Sequence, residues 1–141
     1  MANALSARLL AIVEALPLRP GLRVIEIGCG PGAMAREIAS RIGDGTVLAI
    51  DRSANAIAQA EVSARAEIAS GRLAFRHSAV EDFVLEPGEA RYDLAVAIRV
   101  GALDGRHPEI GDKARTRIAA ALTPNGCLFI DGGDPLREVP L

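Results

Sequence analysis

The chain has 141 residues, half of them apolar and only 3% aromatic, with a formal net charge of −2. This length suits one domain with a substantial core, since roughly two-thirds of the unfolded surface disappears at about 150 residues. The charge balance and the scarcity of aromatic rings exclude a phosphate-tracking or base-stacking surface, so nucleic acid is not an expected partner.

Leu5, Leu9, Ile12, Val13 and Leu16 recur at helical spacing and predict a helix over Asn3 to Leu16. Arg8 and Glu14 interrupt its apolar residues, so no secretory signal is expected there. No stretch is apolar for the roughly 20 residues of a membrane helix, and no membrane partner is expected. Pro17, Pro20 and Gly21 break the helix, and Val24 to Gly28 follows as a short strand. A second helix is predicted from Gly32 to Ile42, with Met34, Ile38 and Ile42 on one face and Gly43 ending it. Thr46 to Asp51 is the second strand. Ser53 suits the cap of a helix running to Ser70, with Ile57, Ala60, Ala64 and Ile68 inward.

Leu73 to His77 is the third strand. The link from Ser78 to Arg91 has room for about one helical turn, so one face of the sheet is predicted to be thinly covered there. Tyr92 to Ile98 is the fourth strand, Pro108 to Leu122 a helix opened by its proline, and Cys127 to Asp131 the fifth strand. Apolar strands alternating with helices imply parallel pairing with both faces covered, an α/β domain over residues 1–141. Cys29 and Cys127 form no CxxC pair and no metal spacing, and suit a reduced cytoplasmic interior.

The segment VIEIGCGPGAMA, from Val24 to Ala35, carries most of the chemistry. Gly28 permits a tight turn after the strand. Gly30 has no side chain, so a ligand can approach the backbone. The helix that follows offers free N–H groups and a partial positive charge, which suit a carboxylate or a phosphate. Glu26, Gly28, Gly30 and Gly32 resemble motif I of the class I S-adenosylmethionine (SAM)-dependent methyltransferases, E/D-x-G-x-G-x-G. The resemblance implies that this loop, Cys29 included, wraps the methionine half of the cofactor and that Glu26 contacts its amino group. Gly28, Gly30 and Ala33 also fit the dinucleotide fingerprint of an NAD-type oxidoreductase. Glu26 would sit unhelpfully near a pyrophosphate, and Pro31-Gly32 is typical of methyltransferases, so SAM is the favoured ligand.

Asp51 ends the second strand, where an acidic residue reaches ribose hydroxyls, and Arg52 falls over the adenine or in solvent. His77 to Phe83, HSAVEDF, resembles the family's loop after strand three. Ala79 stands where an aspartate commonly binds the adenine amino group. The backbone of Ala79 and Val80, or the carboxylates of Glu81 or Asp82, would then read the ring. YDLAVAI resembles motif IV, which puts Arg99 to Gly101 beside the transferable methyl group. There is no N/D-P-P-Y and no Pro-Cys, so neither amino-directed nucleic-acid or glutamine methylation nor cytosine C5 chemistry is suggested. LTPNGCLFIDGG resembles the family's L-x-P-G-G-x-L, with Asn125 at a glycine position.

The resemblance implies a Rossmann-like three-layer sandwich with a mainly parallel five-stranded sheet, order 3-2-1-4-5. GGDPLREVPL is too short for the family's further two-stranded hairpin, so the chain is predicted to be truncated after strand five. An open apolar edge invites pairing. Either a symmetric homodimer covers it, or Leu136 to Val139 folds back as a short edge strand. His77, at a strand end, is read as structural.

Asp104, Arg106 and His107 follow strand four and are the candidate catalytic group. His107 suits a general base near neutral pH, and Arg99 with Arg106 suits an anionic acceptor. The plainer reading is that Asp104-Gly105 makes a turn and His107-Pro108 opens a helix. The expected function is SAM-dependent methyl transfer to a small molecule, with S-adenosylhomocysteine as product. A non-catalytic or partner-dependent SAM-binding protein is the alternative.

Overall fold

The computed structural model describes residues 5–141. Asn3 and Ala4, with which the predicted first helix opens, lie outside the described residues. The first helix, α1 (Ala7–Ala15), starts at Ser6, whose hydroxyl accepts from the Leu9 N–H at 3.2 Å. It is followed by β1 (Arg23–Ile27), α2 (Ala33–Ala39), β2 (Thr46–Asp51), α3 (Ala54–Ser63), α4 (Arg65–Ala69) and β3 (Leu73–His77). The remainder is β4 (Tyr92–Ala97), α5 (Pro108–Ala121), β5 (Leu122–Asp131) and β6 (Leu136–Val139).

The strands form one sheet in the order β3-β2-β1-β4-β5-β6, parallel except for β6. Side chains alternate across it. Val24, Val47, Ala49, Leu94 and Val96 face the layer built from α1, α2 and α3, where Ile12, Val13, Ile38 and Ile57 meet them. Ile25, Ile27, Leu48, Ile50, Ala95 and Ala97 face the other layer, which α5 fills with Ala114 and Ile118. The link between β3 and β4 holds only a 3-10 turn, Val80–Asp82. Its Val80 and Phe83 nevertheless close this second face as buried residues.

The expected count of five strands is corrected to six, and the chain does not stop at the fifth. Gly132, at φ 106°, lets it reverse. β6 then pairs antiparallel with β5, from Asp131 opposite Leu136 to Leu128 opposite Val139. Leu136 packs on one core layer and Val139 on the other. The alternative in which Leu136 to Val139 folds back is the arrangement found.

Three of the boundaries that differ from expectation do so for clear local reasons. α2 ends at Ala39 because the Ser40 hydroxyl donates to the Glu37 carbonyl at 2.6 Å and the Arg41 N–H tightens onto Ile38. Ile42 is still fully buried in the turn beyond. The helix expected to reach Ser70 divides at Ala64 (φ −107°, ψ 27°), a fully buried residue that serves as cap for both pieces. β5 opens at Leu122 rather than Cys127. Leu122 pairs with Tyr92, and the register then jumps so that Cys127 pairs with Leu94.

Candidate active site

The sheet order reverses between β1 and β4, so the loops leaving their carboxyl ends diverge and open a crevice. The cleft there has a volume of about 530 Å³. Gly28, Asp51 and Arg52 form one wall, and Ser78 to Glu81 a second. Arg99 to Ala102 with Arg106, His107 and Ile110 form the third.

The glycine-rich loop is tied to β2 by its own backbone. The N–H groups of Gly28 and Cys29 both donate to the Ile50 carbonyl, at 2.9 and 3.0 Å. The Gly30 N–H donates to Asp51 Oδ2 at 2.8 Å, and the Ser53 N–H donates to Asp51 Oδ1 at 2.8 Å. One carboxylate therefore sets the loop and the start of α3 together. Gly30 sits at φ 55°, and a Cβ there would meet nothing within 4 Å, so its open side faces free space. Gly32 differs. At φ 91° its missing side chain makes room for Phe75, whose Cζ would lie 2.9 Å from a Cβ.

Glu26 lies beneath this loop, between Ala49 and Val96 in the sheet register, and is 3% exposed. Its Oε1 has no hydrogen-bond partner. Burial first, and the nearby Asp51 charge second, push its carboxyl up to about 8. An orphaned buried carboxyl under a ligand-sized loop fits a cationic group bound above it. Cys29 is buried beside it. Burial, then Glu26, then Asp51 push its thiol well above the usual range, so it is not a nucleophile at neutral pH.

The third wall is held by two carboxylates. Arg99 has φ 58°, a conformation that costs a non-glycine residue roughly 1–2 kcal/mol. Its N–H donates to Asp131 Oδ1 at 3.1 Å, while Asp131 Oδ2 accepts from Arg8 of α1 at 3.3 Å. Asp104 takes the Arg106 backbone N–H at 3.1 Å and its Nε at 2.7 Å. The backbone bond, with the guanidinium beside it, holds the Asp104 carboxyl below the usual range. The Arg106 guanidinium lies across Gly101, where a Cβ would come within 2.9 Å of Nη2. His107 precedes Pro108 as the residue capping α5, but its side chain makes no capping bond.

Of the residues singled out in the sequence, Gly28, Asp51, Arg52, Ala79, Val80, Glu81, Arg99, Arg106 and His107 line the cleft together. Glu26, Cys29, Gly30, Gly32 and Asp104 stand behind or beside its walls. Asp82 turns away to Lys113 of α5 at 3.3 Å, which leaves Glu81 as the carboxylate on the second wall. His77 Nε2 donates to the Arg52 carbonyl at 3.0 Å and ties the tips of β3 and β2. Sequence reasoning missed Ser78, Ala102 and Ile110 as lining residues, and Asp131 as the anchor of Arg99, while Val100 lines the cleft within the expected Arg99 to Gly101 stretch. Asp131 carried a usable signal, since it ends a strand on the same sheet edge as Asp51.

Residues 24–126 match a family model described as a methyltransferase domain. The trans-aconitate 2-methyltransferase of Delftia acidovorans is 31% identical over 133 residues, which make up 94% of this chain and 45% of that protein. The chain thus spans a little under half the length of this relative. Among solved structures, a SAM-dependent methyltransferase from Geobacter sulfurreducens in complex with S-adenosyl-L-homocysteine is 25% identical with a TM-score of 0.68. That likeness covers 91% of this chain and 48% of the other. A cyclase, SpnF, is 28% identical with a TM-score of 0.69, over 87% of this chain and 43% of that one.

Proposed function

The chain belongs to the class I SAM-dependent methyltransferases, and from that premise we propose that it binds SAM in the cleft above β1, β2 and β4 and methylates a small anionic acceptor. The observation that carries the reading is the asymmetry of the cleft. Asp51 and buried Glu26 lie on the β1–β2 side, and Arg99 and Arg106 on the other. In this reading Glu26 faces the amino group of the cofactor, Gly28, Cys29, Gly30 and Gly32 shape the loop around its methionine half, and Asp51 takes the ribose hydroxyls. Arg52, Ala79, Val80 and Glu81 surround the adenine, with Glu81 the side chain free to read its amino group. One domain then spans residues 1–141.

SAM supplies a methyl group on a cationic sulfonium, which needs no metal to be electrophilic. The chain's own residues mainly align the acceptor with that methyl. Arg106 is pre-aimed by Asp104 and offers guanidinium N–H groups to a carboxylate. Arg99 is held from behind by Asp131. For a carboxylate acceptor the oxygen is already a nucleophile, and His107 would only orient it. For a hydroxyl or amine acceptor His107 would take the proton. The Delftia relative is named for trans-aconitate, a carboxylate, which supports the anionic class.

The open apolar edge on which a homodimer was expected is paired with β6, so the reading needs no second copy. No helix among the described residues is long and apolar enough to cross a membrane. The two free thiols suit the cytoplasm. The likeness to a cyclase shows that the fold alone does not fix methyl transfer, and the alternative is a non-catalytic or partner-dependent SAM-binding protein. A screen of small carboxylic acids with SAM, read as release of S-adenosylhomocysteine, tests the choice. The reading expects turnover with carboxylates. Tight S-adenosylhomocysteine binding with no turnover of any acceptor class would favour the non-catalytic alternative.

A further inference from the structure

A buried carboxyl is stable in one of two ways. It is charged and paired, or it is neutral. Glu26 is not paired. Its Oε1 has no partner and almost none of the residue reaches solvent. The groups packed around it offer no cation. β2 brings Asp51, an anion, to the same end of the sheet, and the loop brings the Cys29 thiol. Its neighbours in register are Ala49 and Val96, and the layer over this face contributes Ile12, Val13, Met34, Ala35 and Ile38. Arg36 of α2 is committed elsewhere, to Glu67 at 2.7 Å.

We propose that Glu26 is a neutral acid in the ligand-free protein and ionises when a ligand ammonium settles on the Gly28–Gly32 loop, so that cofactor binding releases one proton. The inference rests on the SAM reading above and adds to it a thermodynamic selector. The step is balanced. The carboxylic acid loses its proton to solvent, the ligand keeps its ammonium, and an ion pair replaces the neutral acid. The ammonium is the missing counter-charge, and Asp51 beside the site favours the same cation. A ligand without an ammonium leaves Glu26 protonated and gains nothing from it. The Glu26 carboxyl, raised to about 8 by burial and Asp51, places the working range at and below neutral pH.

The test is calorimetry of the full chain with S-adenosylhomocysteine between pH 6 and 7.5, in buffers of differing ionisation enthalpy. About one proton should be released per site, with affinity tightening about tenfold from pH 6 to pH 7. 5′-Methylthioadenosine, which lacks the amino acid half, should bind without proton release and with a flat profile. Glu26→Gln should abolish the release for S-adenosylhomocysteine. The wild-type buffer series decides even if that variant folds poorly. S-adenosylhomocysteine binding with no buffer dependence overturns the inference and leaves the SAM reading standing. An equal slope with 5′-methylthioadenosine also overturns it, since the proton release would then not depend on the ligand ammonium. No binding of S-adenosylhomocysteine at any pH overturns both.

Discussion

Asp51 holds two backbone N–H groups and, in the proposed reading, also takes the ribose hydroxyls, so its substitution should test both roles. Its oxygens already hold the Gly30 and Ser53 N–H groups, and each keeps a lone pair on the cleft side. Asp51→Ala should weaken S-adenosylhomocysteine binding by about 1.5–3 kcal/mol, the range for hydrogen bonds to a charged group. It should also lower the melting temperature, because two backbone donors lose their acceptor. Asp51→Asn should cost less on both counts, since its amide oxygen keeps one acceptor. Equal affinity for all three proteins in a thermal-shift titration contradicts the ribose role. Gly32 offers a second residue-scale test. A methyl there meets Phe75 and Ala60 and sits at positive φ. Gly32→Ala should therefore destabilise the fold by about 1–3 kcal/mol, as overpacking does, measured by urea unfolding. In the sequence Gly32 was legible as a motif glycine. Its packing partner was not, because Phe75 belongs to a strand far along the chain.

Glu26 also marks the protein's pH response. Folding raises its carboxyl from the ordinary 4.5 to about 8. Between those values the folded chain holds a proton that the unfolded chain has released, so stability falls as pH rises across that window. The slope from this group is at most about 1.4 kcal/mol per pH unit. Glu67, Glu89 and Asp104 have lowered carboxyls and act below the window. Glu26→Gln should flatten the fall between pH 5 and pH 8. A slope unchanged by the substitution, in urea melts across that range, contradicts the neutral-acid account.

At the scale of elements, β6 and the start of α5 carry the informative differences. Leu136 and Val139, three residues apart about Arg137 and Glu138, gave only a weak strand signal in the tail, because they fall on opposite faces. The tail is too short for the family's further hairpin, which led to a five-strand count with Leu136 to Val139 as an alternative edge strand. β6 replaces the long edge of β5 with a four-residue one whose exposed Arg137 and Glu138 discourage further pairing. Removing residues 136–141 should expose the outer N–H and C=O groups of β5 and drive self-association at micromolar concentration, seen by light scattering. A monodisperse monomer after that deletion would mean β5 tolerates its edge bare. The segment from Asp104 to His107 was legible both as a turn and as a candidate site, and the structure shows a turn that leaves Arg106 and His107 on the cleft. The turn holds Arg106 against Gly101 and leaves it on the cleft. Arg106→Ala and His107→Ala should leave S-adenosylhomocysteine affinity nearly unchanged while methyl transfer slows at least about tenfold, the loss of one hydrogen bond to a charge. Parent rates in both variants would reduce the segment to a turn and a helix cap.

Across the whole molecule, strand identity and order were readable because buried parallel strands are nearly continuous apolar runs between turn residues. VLAI and DLAVAI left little choice, and β2 and β3 match their predicted bounds. What was not readable was long-range. Asp131 fixing Arg99, Asp82 leaving the cleft for Lys113, and Val80 with Phe83 closing a face all depend on elements meeting in space. The cleft itself follows from one topological fact, the reversal between β1 and β4, which the order 3-2-1-4-5 already contained. The central claim is that this cleft takes SAM rather than a dinucleotide. Competitive calorimetry on the full chain, titrating S-adenosylhomocysteine with and without excess NAD, tests it most directly. One S-adenosylhomocysteine should bind per chain with an affinity that NAD does not change. Binding of NAD with no binding of S-adenosylhomocysteine would contradict it.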